Sequence, residues 1–204
     1  MTQPRAIWAE PGDAAAVAAR VADVLARPGA KRLAVPGGTT PRRVFAHLGE
    51  ADWRGATVLP TDDRQVPHDH PASNIGALAR ALAGTGAELL ELHDGDPVEP
   101  FDLVWLGMGA DGHVASLFPR MAAGERAGPH VIATVPEPLP PEAPFPRLSL
   151  NLEALAATEA LVLAVSGDAK RAVLERALAG AAEDLPVAHL LHAALCPLEI
   201  YWSP

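Results

Sequence analysis

Thiols are nearly missing from these 204 residues, Cys196 being the single cysteine. That excludes an internal disulfide framework and any thiolate metal cluster built by this chain alone. Positive charge is also short, with 16 Lys and Arg against 25 Asp and Glu, a formal net charge of −9. A chain so poor in cations lacks the basic face that binding to nucleic acid requires, so nucleic acid is not an expected partner. Lysine occurs only at Lys31 and Lys170, which makes a lysine beside a glycine turn worth noting. No apolar run reaches the roughly 18 residues of a membrane helix. Met1-Thr2-Gln3-Pro4-Arg5 has no apolar core of a signal peptide. The expected location is the cytosol, with no membrane partner.

What is present is a globular composition, 49% hydrophobic and 20% charged, which excludes disorder for most of the chain. Hydrophobic periodicity and capping residues predict helices over 12–27 (capped by Asp13), 41–49 (Thr40 as cap, Pro41 first), 73–82 (capped by Ser73), 152–157, 168–179 and 186–194. Strands are expected over 31–35, 56–61, 101–106, 131–135, 147–150, 160–165 and 198–202, with a polar loop over 62–71. The stretch 136–146 carries six prolines and reads as irregular chain. Nearly all-apolar strands alternating with helices imply an α/β fold, a mainly parallel sheet covered on both faces, in one domain over 1–204. Ligands of such sheets sit beyond the carboxyl ends of the strands. The turns at Gly37, Asp62, Gly107 and Ser166 are expected at that edge.

Each turn has a functional and a plain reading. In Gly37-Gly38-Thr39-Thr40-Pro41 the glycines admit close backbone approach, and the N–H groups of the new helix favour an anion. The plain reading is an ordinary strand-to-helix turn. Gly107-Met108-Gly109-Ala110-Asp111-Gly112 has the spacing of a dinucleotide fingerprint, but Pro119 stops any long helix and no acidic strand end follows. His113, beside Asp111, has the residue type for acid–base work near neutral pH. Asp62-Asp63-Arg64 reads either as a solvated turn or as a carboxylate and an arginine facing a ligand. His68 and His70 could form a metal pair, a polar loop being the default. Lys170, in the first turn of a helix, opposes the helix dipole, which suggests an anion nearby. Arg147 is a second candidate anion clamp. Cys196 is expected buried and inert.

Several segments resemble the 6-phosphogluconolactonase family: LAVPGGTTP at 33–41, TDDRQVPHDHPASN at 61–74, FDLVWLGMGADGHVASLFP at 101–119, PRLSL at 146–150 and SGDAK at 166–170. The resemblance covers about Leu33 to Pro186. It implies a Rossmann-like three-layer fold, shared with glucosamine-6-phosphate deaminases. It further implies hydrolysis of a phosphorylated sugar lactone, 6-phospho-D-glucono-1,5-lactone, in the pentose phosphate pathway, with neither metal nor organic cofactor. His113 matches the family's general base, and Asp62 and Arg64 its acid–arginine pair, with Asp111 as a further candidate in the catalytic group. Gly37, Gly38, Thr39, Thr40, Gly112, Arg147 and Lys170 are the expected substrate- and phosphate-holding positions. Asp63, Gln65 and Pro36 depart from the usual family residues. The deaminases carry a carboxylate five residues after the histidine, where this chain has Phe118. A non-catalytic sugar-phosphate sensor is the other alternative. The expected assembly is a monomer or small homo-oligomer.

Overall fold

The computed structural model describes residues 6–121, 127–136 and 144–204. Seven strands form a parallel sheet: β1 (Ala6–Trp8), β2 (Lys31–Val35), β3 (Ala56–Pro60), β5 (Glu88–Leu89), β6 (Leu103–Leu106), β9 (Leu161–Ser166) and β10 (Leu198–Ser203), in the order β1-β10-β9-β6-β2-β3-β5. A second, antiparallel sheet of order β4-β8-β7 comprises β4 (Asp62–Arg64), β7 (Val131–Thr134) and β8 (Arg147–Leu150). The helices are α1 (Ala14–Leu25), α2 (Thr39–Ala46), α3 (Asn74–Ala81), α4 (Leu152–Ala156), α5 (Asp168–Leu178) and α6 (Pro186–Ala193).

The three layers follow from the two-residue period of a strand. On β6, Leu103 and Trp105 pack in one core with α1, α2 and α3, while Val104 and Leu106 join the other core with α4, α5 and α6. On β9, Val162 and Ala164 face the first core, and Leu161, Leu163 and Val165 the second. Both faces are buried, so these strands read as unbroken apolar runs.

Asp13 and Ser73 cap α1 and α3 as expected, accepting from the N–H groups of Ala16 and Gly76. Three expectations are corrected. Thr40 does not cap α2: the cap is Gly38, at φ 103°, and the helix begins at Thr39. Pro41 thus falls third in the helix, still in the first turn, where its missing N–H breaks no helical bond. The segment after β3 is not wholly loop, because Asp62–Arg64 pairs with β8. The strands β7 and β8 leave the parallel sheet and join it there. The short edge strands β1 and β5 carry no periodicity that sequence could reveal. Cys196 is half-buried, and burial pushes its thiol above the ordinary range. Most of the proline-rich stretch, residues 137–143, lies outside the described residues.

From β2 the chain proceeds outward to β3 and β5, and from β6 outward to β9 and β10. The turns after β2 and β6 therefore diverge, which opens a crevice at the carboxyl edge between them.

Candidate active site

A cleft of about 150 Å³ occupies that crevice. Its walls come from the turns after three adjacent strands: Pro36, Gly37 and Pro41 after β2, Gly107 and Met108 after β6, Ser166 and Lys170 after β9. Trp105 and Ala164 form further wall. Lys170 stands third in α5, behind the cap Gly167. Among the described residues no hydrogen bond or ion pair engages its ammonium.

Gly37 has no room for a side chain, because a Cβ there would overlap the amide of Asn74. Asn74 is buried, and its Nδ2 donates to the Asp62 carbonyl at 2.7 Å. It thereby joins the Gly37 turn to β4 and the start of α3. Sequence reading passed over Asn74. Its signal was a polar residue directly behind the Ser73 cap. Gly38 is exposed, and with Thr39 and Thr40 it forms the start of α2.

The loop after β6 folds back on itself without a helix, so the dinucleotide geometry is not formed. The N–H of Gly109 donates to the His113 carbonyl at 2.9 Å. His113 Nδ1 lies 2.6 Å from Asp111 Oδ1. A Cβ on Gly109 would overlap both side chains, so the glycine makes room for the pair. Gly112, at φ +83°, sits against Leu185 ahead of α6 and away from the cleft wall.

The small sheet holds the remaining candidates. Neither carboxylate of Asp62-Asp63 is solvated, at 7% and 9% exposure, which corrects the solvated-turn reading. Asp63 accepts from the backbone N–H groups of Arg64, Asn74 and Ile75 at 2.8, 2.6 and 3.1 Å. Asp62 accepts from the Ser116 hydroxyl at 2.6 Å and, more weakly, from Thr61 and Asn74 at 3.4 Å. Asp111, then, is the carboxylate on His113, while Asp62 is bonded to the histidine loop three residues further on.

Arg64 and Arg147 are directly opposed across the β4–β8 ladder, as are Asp62 and Ser149. Opposed residues share a face, so both pairs lie on one side of the small sheet. Arg64 Nη1 donates to the Ala72 carbonyl at 2.9 Å, and its buried Nε has no partner among the described residues. Burial, and then the Arg64 charge, pull the Arg147 guanidinium below its ordinary range, with Asp62 acting the other way. The Phe118 ring lies 4.8 Å from the His113 ring, centroid to centroid, and Arg147 Cζ lies 5.5 Å from its centroid. One aromatic ring thus touches both the imidazole and Arg147.

His68 and His70 do not converge. His68 faces Glu91 at 3.3 Å, whereas His70 Nδ1 accepts from the Ala72 N–H at 3.1 Å. No group of three metal-ligating side chains occurs among the described residues. No helix among them is long and apolar enough to cross a membrane.

Residues 12–93 and 85–202 match the family of glucosamine-6-phosphate isomerases and 6-phosphogluconolactonase. The chain belongs to this family. A 6-phosphogluconolactonase of Pseudomonas aeruginosa is 36% identical over 216 residues, covering 95% of this chain and 90% of the relative. One of Rhizobium meliloti is 34% identical over 214 residues, covering 92% and 91%. The crystal structure of a 6-phosphogluconolactonase from Shewanella baltica superposes with a TM-score of 0.79 at 26% identity, covering all of both chains. A monomeric glucosamine-6-phosphate deaminase shares the fold, with a TM-score of 0.75 at 17% identity and 97% of each chain covered. The family thus includes both lactonases and glucosamine-6-phosphate isomerases, and the site must distinguish them.

Proposed function

We propose that this chain is a cytoplasmic 6-phosphogluconolactonase, a single-domain enzyme that hydrolyses 6-phospho-D-glucono-1,5-lactone to 6-phospho-D-gluconate in the oxidative pentose phosphate pathway. The observation that carries the reading is the contact of His113 and Arg147 with one ring, Phe118. A base and an anion clamp are thereby held a fixed distance apart, with an apolar wall where a deaminase would need a carboxylate. With Phe118 in that place, the relay for ring opening and amino-group chemistry lacks a member.

In this reading Asp111 accepts from His113 Nδ1–H and fixes the tautomer, which leaves Nε2 as proton acceptor. Nε2 takes a proton from water as its oxygen attacks the lactone carbonyl. The tetrahedral oxyanion collapses, the ring C–O bond breaks, and the imidazolium returns the proton to the departing ring oxygen. Residues of the chain supply every proton transfer, so no metal or cofactor enters the scheme. The substrate's phosphate is held by cations from separate segments: Lys170 at the cleft, with Arg64 and Arg147 on the small sheet. The opposed guanidiniums of Arg64 and Arg147 carry like charge, and an anion between them offsets that repulsion.

The test follows freshly made lactone with and without the protein, against its spontaneous hydrolysis, with ammonia release from glucosamine 6-phosphate measured in parallel. Acceleration of lactone loss without ammonia release is the expected result. Ammonia release alone would favour the deaminase reading, and binding without either reaction would favour a sensor.

A further inference from the structure

We infer that Ser116 is a positioning residue for His113, clamping the histidine loop to the small sheet through the buried carboxylate of Asp62. The inference rests on the proposed role of His113 as the base.

The loop is strained next to the histidine. Ala115 adopts φ 50°, a left-handed conformation that a residue with a Cβ disfavours. Such a residue persists only where its neighbours leave no alternative. Both neighbours are fully buried: Val114, bridged to Met108 and Leu117, and Ser116. Ser116 is fixed twice. Its hydroxyl donates to Asp62 Oδ2 at 2.6 Å, and its backbone N–H donates to Ser149 Oγ at 3.1 Å. The Ser149 hydroxyl is in turn occupied, donating to the Leu150 carbonyl at 3.0 Å.

These anchors are not arbitrary points on the fold. Asp62 and Ser149 oppose each other on the ladder, two residues along from the opposed Arg64 and Arg147. Because a strand repeats every two residues, both rows project from the same face. The clamp therefore ties the His113 loop to the strands that carry the arginines and sets the spacing between base and anion clamp. This gives Asp62 a role through Ser116, without contact to the reacting atoms. A hydrogen bond between a hydroxyl and a buried carboxylate is short and strong enough to hold a loop against moderate backbone strain.

The test uses Ser116→Ala, Ala115→Gly and the double variant beside the wild type and His113→Ala. Steady-state kinetics on the lactone and amide exchange at Gly109 and Leu117, whose N–H groups bond within the loop, are both recorded. Ser116→Ala is expected to lower kcat by roughly 30-fold while KM stays within about twofold, since only the placement of the base is lost. Exchange at both amides should quicken by roughly tenfold. Adding Ala115→Gly should recover about fivefold of the lost kcat, because glycine takes this φ without strain. Should Ser116→Ala fail to fold, Ser149→Ala removes the other anchor and should produce the same split between kcat and KM. Unchanged kcat would overturn the inference, as would parallel loss in kcat and KM that the glycine does not relieve. If the wild type does not accelerate lactone loss at all, the proposed function fails, and unchanged amide exchange in Ser116→Ala then overturns the clamp independently.

Discussion

The two sheets of this protein are built on opposite principles. In the large sheet β6 and β9 bury nearly every residue, the side chains are apolar, and each strand is paired on both edges. In the small sheet β4 consists of three charged residues, two of them buried, and one arginine faces another across the ladder. Placing like charges opposite each other costs stability. The large sheet makes the molecule stable, whereas the small one holds in place groups that folding alone would not select. Carboxylates at that sheet hold backbone and loop, and in the proposed function its arginines meet an anion.

If the division is real, substitutions in the two regions should fail in different ways. The largest effect on rate is expected from His113→Ala, a loss of about 10² to 10⁴-fold in kcat/KM. Its thermal midpoint should stay within a few degrees of the wild type, since the side chain is 31% exposed and packs in no core. Leu163→Ala, in the middle of β9 and fully buried, should do the reverse. It should lower stability by about 2–5 kcal/mol in denaturant titration and leave KM unchanged at temperatures where the variant is folded. A KM shift in Leu163→Ala would show that the large sheet is more than a scaffold.

A smaller effect should appear at alkaline pH, and it belongs to the large sheet. Burial first, and then the Glu199 carboxylate beside it, hold the Tyr201 phenol up to about 12, against an ordinary 10. The folded state thus keeps this proton more tightly than the unfolded chain. The stability it contributes is complete below about pH 10 and is lost as pH rises through about 12. Tyr201→Phe should flatten the fall in stability across that window, as measured by urea midpoints at a series of pH values.

The five inner strands of the large sheet were legible. An apolar run such as 161–165 between polar turns has few other solutions, and Asp13 and Ser73 announce the helices they cap. The carboxyl-edge turns could also be read, because a ligand crevice follows from strand direction alone. Of the small sheet, β7 and β8 could be read as strands, but not β4 or the separate sheet the three form. A three-residue strand of Asp-Asp-Arg offers no hydrophobic alternation, and its partner β8 lies more than 80 residues away in sequence. Nor could sequence tell which aspartate reaches His113. Spacing favours Asp111, two residues away, but only the fold shows Asp62 committed to Ser116. Ser116 and Asn74 escaped for the same reason, small polar residues whose partners come from distant segments.

The claim that the small sheet is held for an anion is tested most directly with Arg147→Met, which keeps the stem and removes the charge. Thermal midpoints would be recorded with and without 6-phosphogluconate, the proposed product. Most of the ligand-induced rise in midpoint is expected to be lost. An intact ligand-induced rise would contradict the claim, and would make the opposed arginines a feature of folding alone.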